Sequence, residues 1–323
     1  MKKTLLTLLA TAALFTHAAT AADYKVVENW LKLPEGRPQV GNTHGDVAVS
    51  SAGEVYVSVM DPKAALQVYA ANGAFLRNVT NAPADFHGFV IRKQADGEFI
   101  YGPRLGGQNI LKLTLDGKVV LTIPASDIPD DFKNKNAKSG KTSVSLTGMD
   151  VAPNGDLFVT DGYASDYVHR FDRAGKYLKS FGGKKAPYGF STLHKIAIDP
   201  RFTPARIIGC DRANMRVVHL SLDGEFLGVI AKDLLLPAAV AIHGDYAAVG
   251  ELKGRVTLLD KTGAVVARLG ANEEPGVGGN ALKPEQWRPG IVISPHGVAF
   301  DARGNLYVAE YSVFGRVHRY DRP

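Results

Sequence analysis

The chain has 323 residues, 45% of them hydrophobic, with 38 Lys+Arg against 32 Asp+Glu and a formal charge of +6. That apolar fraction is ample for a packed core, and the basic excess forms no Lys/Arg cluster, so nucleic acid is not an expected partner. The single cysteine, Cys210, excludes an intrachain disulfide and reads as a buried, inert thiol.

Residues 1–22 read as an export signal. Lys2 and Lys3 precede an apolar run from Leu5 to Phe15, and Ala19-Thr20-Ala21 follows as a cleavage site. The run is too short to span a bilayer, and nothing later in the chain is a transmembrane candidate. The expected mature protein is residues 23–323, carries +4 once Lys2 and Lys3 are lost, is periplasmic or secreted, and has no membrane attachment.

From Tyr24 onward the chain repeats itself. Each unit offers short apolar strands separated by turns. Asp46-Val47-Ala48-Val49, Gly53 and Val55-Tyr56-Val57-Ser58 open the first unit. Met149-Asp150-Val151-Ala152-Pro153-Asn154-Gly155-Asp156-Leu157-Phe158-Val159-Thr160-Asp161 matches Gly297-Val298-Ala299-Phe300-Asp301-Ala302-Arg303-Gly304-Asn305-Leu306-Tyr307-Val308-Ala309-Glu310. The turn between third and fourth strands falls at Gly73, Gly117, Gly175, Gly224 and Gly263, in steps of 44, 58, 49 and 39 residues. Glycine there supplies the positive φ of tight hairpins. Alternation in Val168-His169-Arg170-Phe171 and Val317-His318-Arg319-Tyr320 reads as half-buried strand, and no long stretch has a helical period. Four strands per unit at this spacing predict an all-β, six-bladed propeller forming a single domain over 23–323. The polar, Lys-rich stretch Ser126–Ser143 is expected to cross one face as irregular chain. The sixth unit ends after its third strand, so Tyr24–Leu31 is expected to supply the missing outer strand and close the ring.

Nine histidines sort by repeat position. His87, His194 and His296 open innermost strands, 107 and 102 residues apart, in the second, fourth and sixth units. Alternate blades of a six-fold ring stand about 120° apart, so three imidazoles would converge on the central channel as a metal tripod with an open position. The bland alternative is three histidines bonded to neighbouring loops. Three imidazoles suit zinc, without separating it from iron or copper. His44 lies one residue before the equivalent position, Gly45, as a site contact or a cap on the channel mouth. His169, His219 and His318 sit mid-strand and read as structural. His243 lies in an outer turn.

On these residues the chain resembles the NHL-repeat propellers, and most closely the lyase domain of peptidylglycine α-amidating enzymes, the peptidyl-α-hydroxyglycine α-amidating lyase. The residues that carry it are Phe86-His87-Gly88, Leu193-His194 and Pro295-His296-Gly297, then Thr160-Asp161-Gly162-Tyr163 and Cys210-Asp211-Arg212-Ala213-Asn214, in the same blade order across the mature chain. The resemblance implies zinc on His87, His194 and His296, with Tyr163 and Arg212 as catalytic residues. It implies a small-molecule or peptide substrate in the central channel, an N-acyl hemiaminal split to an amide and a glyoxylate-type aldehyde. It also suggests an axial calcium on the Asp46 carboxylate and the Val47 and Phe89 carbonyls. The chain departs from the pattern in blade one, where a second arginine is usual and only Lys63 offers a cation. Ala164 replaces a disulfide cysteine, and Ser294 a methionine.

Two alternatives stay open beside the lyase. Six-bladed propellers include calcium-dependent lactonases and esterases, but no matching acidic and amide set stands at the inner strand entries. Glu251 and Glu310 end second strands as face residues or surface charges. The non-enzymatic alternative is an NHL-type module that binds a peptide, glycan or protein partner.

Overall fold

The computed structural model of the protein describes residues 24–274 and 278–323, so the export-signal reading of residues 1–22 falls outside the described residues. The chain forms six four-stranded antiparallel sheets arranged as the blades of a propeller. Blade 1 runs through Val47–Val49, Val55–Ser58, Leu66–Tyr69 and Phe75–Asn78. Blades 2 to 5 begin with inner strands Val90–Gln94, Gly148–Val151, Leu193–Asp199 and Pro237–His243. Three short 3-10 turns are the only helical segments, and no helix is long and apolar enough to cross a membrane, both among the described residues.

Blade 6 is built from both ends of the chain. Pro295–Phe300, Leu306–Glu310 and Arg316–Asp321 supply three strands, and Lys25–Val26 adds the outer one, with Val26 opposite Tyr320. The chain then crosses the seam. Lys32 bridges to Ala74 in the outer turn of blade 1, and the Trp30 indole donates to the Ala71 carbonyl at 2.8 Å. Gly73 is obligatory there, since a Cβ would stand 1.7 Å from the Trp30 carbonyl oxygen. The expected closing strand is therefore real but short; its remainder is a strap.

The apolar alternation buries one core at each junction between blades. Val90, Tyr101 and Ile123 of blade 2 meet Met149, Val159 and Phe171 of blade 3. At the seam Val55, Val57 and Tyr69 meet Tyr307, Ala309 and Val317, with Trp30 over them. Each fully buried aliphatic or aromatic side chain contributes roughly 1.5–3 kcal/mol, so the ring is held by six such cores rather than one. The five predicted turn glycines all take positive φ, between 84° and 96°. The stretch expected to be irregular holds two 3-10 turns and a small hairpin, Asn134–Lys135 against Thr142–Ser143. Its Phe132 carbonyl accepts from Ser165, which brings it beside the loop that carries Tyr163.

Candidate metal centre

The inner strands of blades 4, 5 and 6 each skip one residue as they start. Pairing jumps from Leu193 to Lys195, from Pro237 to Ala239 and from Pro295 to Gly297. A bulged residue leaves the ladder and its side chain is re-aimed, here for His194, Ala238 and His296. His87 stands at the corresponding place ahead of Val90.

The three histidines are tied to the next blade in the same way. Nδ1 of His87 donates to the Thr147 carbonyl at 2.8 Å, that of His194 to Ala238 at 2.6 Å, and that of His296 to Gly45 at 2.7 Å. Gly45, His87, Thr147, His194, Ala238 and His296 are thus equivalent around the ring. A carbonyl only accepts, so each Nδ1 carries the proton and each Nε2 offers a lone pair. Burial, with some help from neighbouring charges, holds all three rings neutral: His87 is lowered to about 3, and His194 and His296 lie well below the usual value.

The rings converge. Centroids of His87 and His194 lie 4.9 Å apart, those of His87 and His296 4.7 Å, and those of His194 and His296 4.9 Å. His44 joins them: its ligand nitrogen and those of His87 and His296 all lie within 4.8 Å of one another. The His44 ring stacks on Tyr311 at 4.2 Å. Burial, then Arg212, lowers the pKa of His44. The Tyr163 hydroxyl is 3.1 Å from Nε2 of His87 and 3.1 Å from Nε2 of His194. Arg212 donates to the same oxygen at 3.2 Å, its guanidinium 5.1 Å from the Tyr163 ring centre.

Counting protons decides what the cluster can hold. Tyr163 has one hydroxyl proton for two acceptor nitrogens, so either His87 or His194 lacks a donor. Nε2 of His296 is buried and has no partner. Each buried, unmet acceptor costs about 1–3 kcal/mol. Three neutral imidazoles, each locked by a carbonyl behind it, form the arrangement that orients metal ligands. The residues therefore fit a divalent metal with nitrogen preference: the nitrogens of His44, His87 and His296 lie within 4.8 Å of one another, and the His194 ring lies 4.9 Å from those of His87 and His296.

The loops that deliver Tyr163 and Arg212 are held by acids at the ends of second strands. Asp161 accepts the Ser145 amide at 2.5 Å and the Ser165 hydroxyl, and burial raises its carboxyl to about 6. Gly162 lets the loop pass, since a Cβ would lie 2.3 Å from the Leu193 carbonyl oxygen. Asp211 accepts from Ser191, Asn214 and Arg216. Neither acid pairs with Arg212, whose charge is left to face Tyr163. Glu251 and Glu310 do the same bracing in blades 5 and 6. They are buried, bonded to Arg255 and His318, and are not surface charges.

Two expectations gain no contact in the structure. Lys63 is exposed and, among the described residues, bonds through its backbone rather than to the cluster. Arg37, from the segment that leads into blade 1, pairs with Asp61 of that loop at 2.5 Å. Nor do Asp46, Val47 and Phe89 fit a calcium ion. The Asp46 carboxylate, which would anchor the ion, is already paired with the Lys195 ammonium and accepts from the Val47 and Phe89 amides. Tyr311, Lys195 and Arg37 were not foreseen. For Tyr311 a signal existed: like Arg212, it directly follows a strand-end acid.

No family model matches the chain. Solved structures similar to it include a streptogramin B lyase, 13% identical with a TM-score of 0.58, covering 93% of this chain and 98% of that one. A virginiamycin B lyase from Staphylococcus aureus, a catalytically inactive variant with quinupristin, is 16% identical with a TM-score of 0.54, covering 88% and 82%. A gluconolactonase from Xanthomonas campestris is 13% identical with a TM-score of 0.63, covering 95% and 92%. At these identities the likeness establishes a shared class, the six-bladed β-propeller, and goes no further.

Proposed function

We propose that the protein is an exported, metal-dependent lyase that splits an N-acyl hemiaminal, of the peptidyl-α-hydroxyglycine type, into an amide and a glyoxylate-type aldehyde. The observation that carries this reading is the Tyr163 hydroxyl, 3.1 Å from two inward-facing imidazoles and bonded by Arg212. The resemblance of the Thr160–Tyr163 and Cys210–Asn214 segments to the amidating lyases supports the same reaction. Lyases and a gluconolactonase among the similar folds support an enzymatic reading of this propeller.

The reaction needs one proton moved and one bond broken. The carbinol hydroxyl loses its proton as its C–O bond becomes C=O, the C–N bond breaks, and the amide nitrogen gains a proton. Tyr163 is placed to relay that proton: its phenol gives its own proton to the departing nitrogen and is refilled by the proton of the carbinol hydroxyl. Arg212 sets a donor and a positive charge against the phenol oxygen, where negative charge develops, and its remaining N–H groups offer a fork to a substrate carboxylate. Zinc, the metal we propose on His87, His194 and His296, would supply Lewis-acid polarisation of the substrate oxygen when bound.

The test is glyoxylate release from an α-hydroxyglycine amide by the metal-loaded wild type, with Tyr163→Phe beside it. A second reading, a propeller that binds its ligand in the channel without turnover, rests on blade one offering only the exposed Lys63 where the amidating lyases carry a second arginine. Stoichiometric metal with no glyoxylate release would favour it.

A further inference from the structure

The position after each ring-equivalent residue lies one step deeper on the axis. Around the six blades these positions hold Asp46, Gly88, Gly148, Lys195, Ala239 and Gly297. Only two of the six carry a functional group, and they stand in blades 1 and 4, which are diametrically opposed in a six-fold ring. Their side chains meet: Lys195 Nζ bonds Asp46 Oδ2, with side-chain exposures of 6% and 1%.

The small residues between them are required by this contact. A Cβ on Gly297 would lie 2.5 Å from Asp46 Oδ1, and one on Gly148 3.1 Å from Lys195 Cγ. The carboxylate also takes the Val47 amide at 2.9 Å. The next acid down the axis, Asp150, is held on both oxygens by Arg92 at 2.7 and 2.9 Å. Among the described residues, no carboxylate near the axis is left over for a metal ion there.

We infer that Lys195 is the resident cation of the channel axis: its ammonium, paired with Asp46, takes the place of a second metal ion, braces opposite blades and closes the floor beneath the histidine cluster. The residue before Lys195 is His194, so the brace also fixes the strand that delivers one imidazole. A buried pair of this kind stabilises little against a neutral replacement, but losing one partner leaves a buried charge unmet. The fold therefore needs both residues or neither, and it needs no calcium.

The experiment is thermal melting of the mature protein, with and without millimolar calcium and with a calcium chelator. Wild type stands beside Lys195→Met, Asp46→Asn and the double variant. Wild type is expected to melt at one temperature in all three conditions. Each single variant is expected to lose on the order of 5–10 °C, and the double variant to regain most of that loss. If a single variant fails to fold, recovery of a folded double variant makes the same point. A double variant that loses the sum of the two single losses, or fails to fold, would overturn the inference. So would a wild-type melting temperature that rises with calcium or falls with the chelator.

Discussion

Nδ1 of His296 donates to the carbonyl of Gly45 across 2.7 Å, joining residues 251 positions apart where the last blade meets the first. One imidazole of the cluster is therefore oriented by the seam of the ring. The seam itself is held by the strap from Lys25 to Lys32.

Loosening the strap should be felt at the metal centre. The Val27 amide donates to the Arg319 carbonyl at 2.9 Å, and Val27→Pro removes that donor. Stability should fall by about 1–3 kcal/mol, and metal retained through dialysis should fall with it. Thermal melting and metal content on the same sample check this. Loss of stability with full metal retention would separate the seam from the site.

Tyr163→Phe should keep the ring packed between His87 and His194 while removing the hydroxyl. Metal content should stay at the wild-type level, and kcat for glyoxylate release should drop roughly 10²–10⁴-fold. A variant with unchanged kcat would remove Tyr163 from the chemistry.

Arg212→Lys keeps the charge and loses the planar fork. A single ammonium cannot bond the Tyr163 oxygen and a substrate carboxylate in the same geometry, so kcat/KM should fall on the order of 10²-fold with metal content unchanged. Wild-type kcat/KM in this variant would mean that only the charge matters.

The buried histidines set an acid limit on stability. His169 is held at about 3 by burial, with a smaller contribution from Lys133, and His87 is held at about 3 by burial and then His44. In the unfolded chain each titrates near 6.5. Between those values the unfolded chain binds protons that the native chain does not. Stability is therefore fully present above about pH 6.5 and falls as the pH drops, by up to about 1.4 kcal/mol per pH unit for each histidine. His169 bonds Ser180 and lies in a third strand, away from the metal cluster. His169→Gln should accordingly flatten the fall of melting temperature below pH 6. An unchanged slope would show that His169 protonates freely in the native state.

Much of this was legible in the sequence because it repeats. The turn glycines marked the blades, and three histidines at one repeat position pointed to the axis. The short last unit called for the strand that Lys25–Val26 supplies. What was not legible depends on contacts that repetition does not encode. Lys195 and Asp46 are 149 residues apart, and only the closed ring sets them face to face. His44 lies outside the repeat register, because a Cβ at Gly45 would fall 1.8 Å from the Ser58 hydroxyl, so the imidazole enters from the preceding residue. Arg37 comes from the segment between the strap and blade 1, which has no counterpart in other blades. The expected calcium failed for a related reason: the carboxylate was visible in the sequence, but its partner was not.

The function proposed for the protein depends on a metal held by His87, His194 and His296. Metal content by mass spectrometry on the purified mature protein, wild type beside His194→Ala, tests this most directly. Close to one equivalent of zinc is expected in the wild type, with a sharp loss in the variant. A wild type that holds no metal, even after incubation with zinc, would contradict that expectation and leave the three imidazoles as structural bonds between blades.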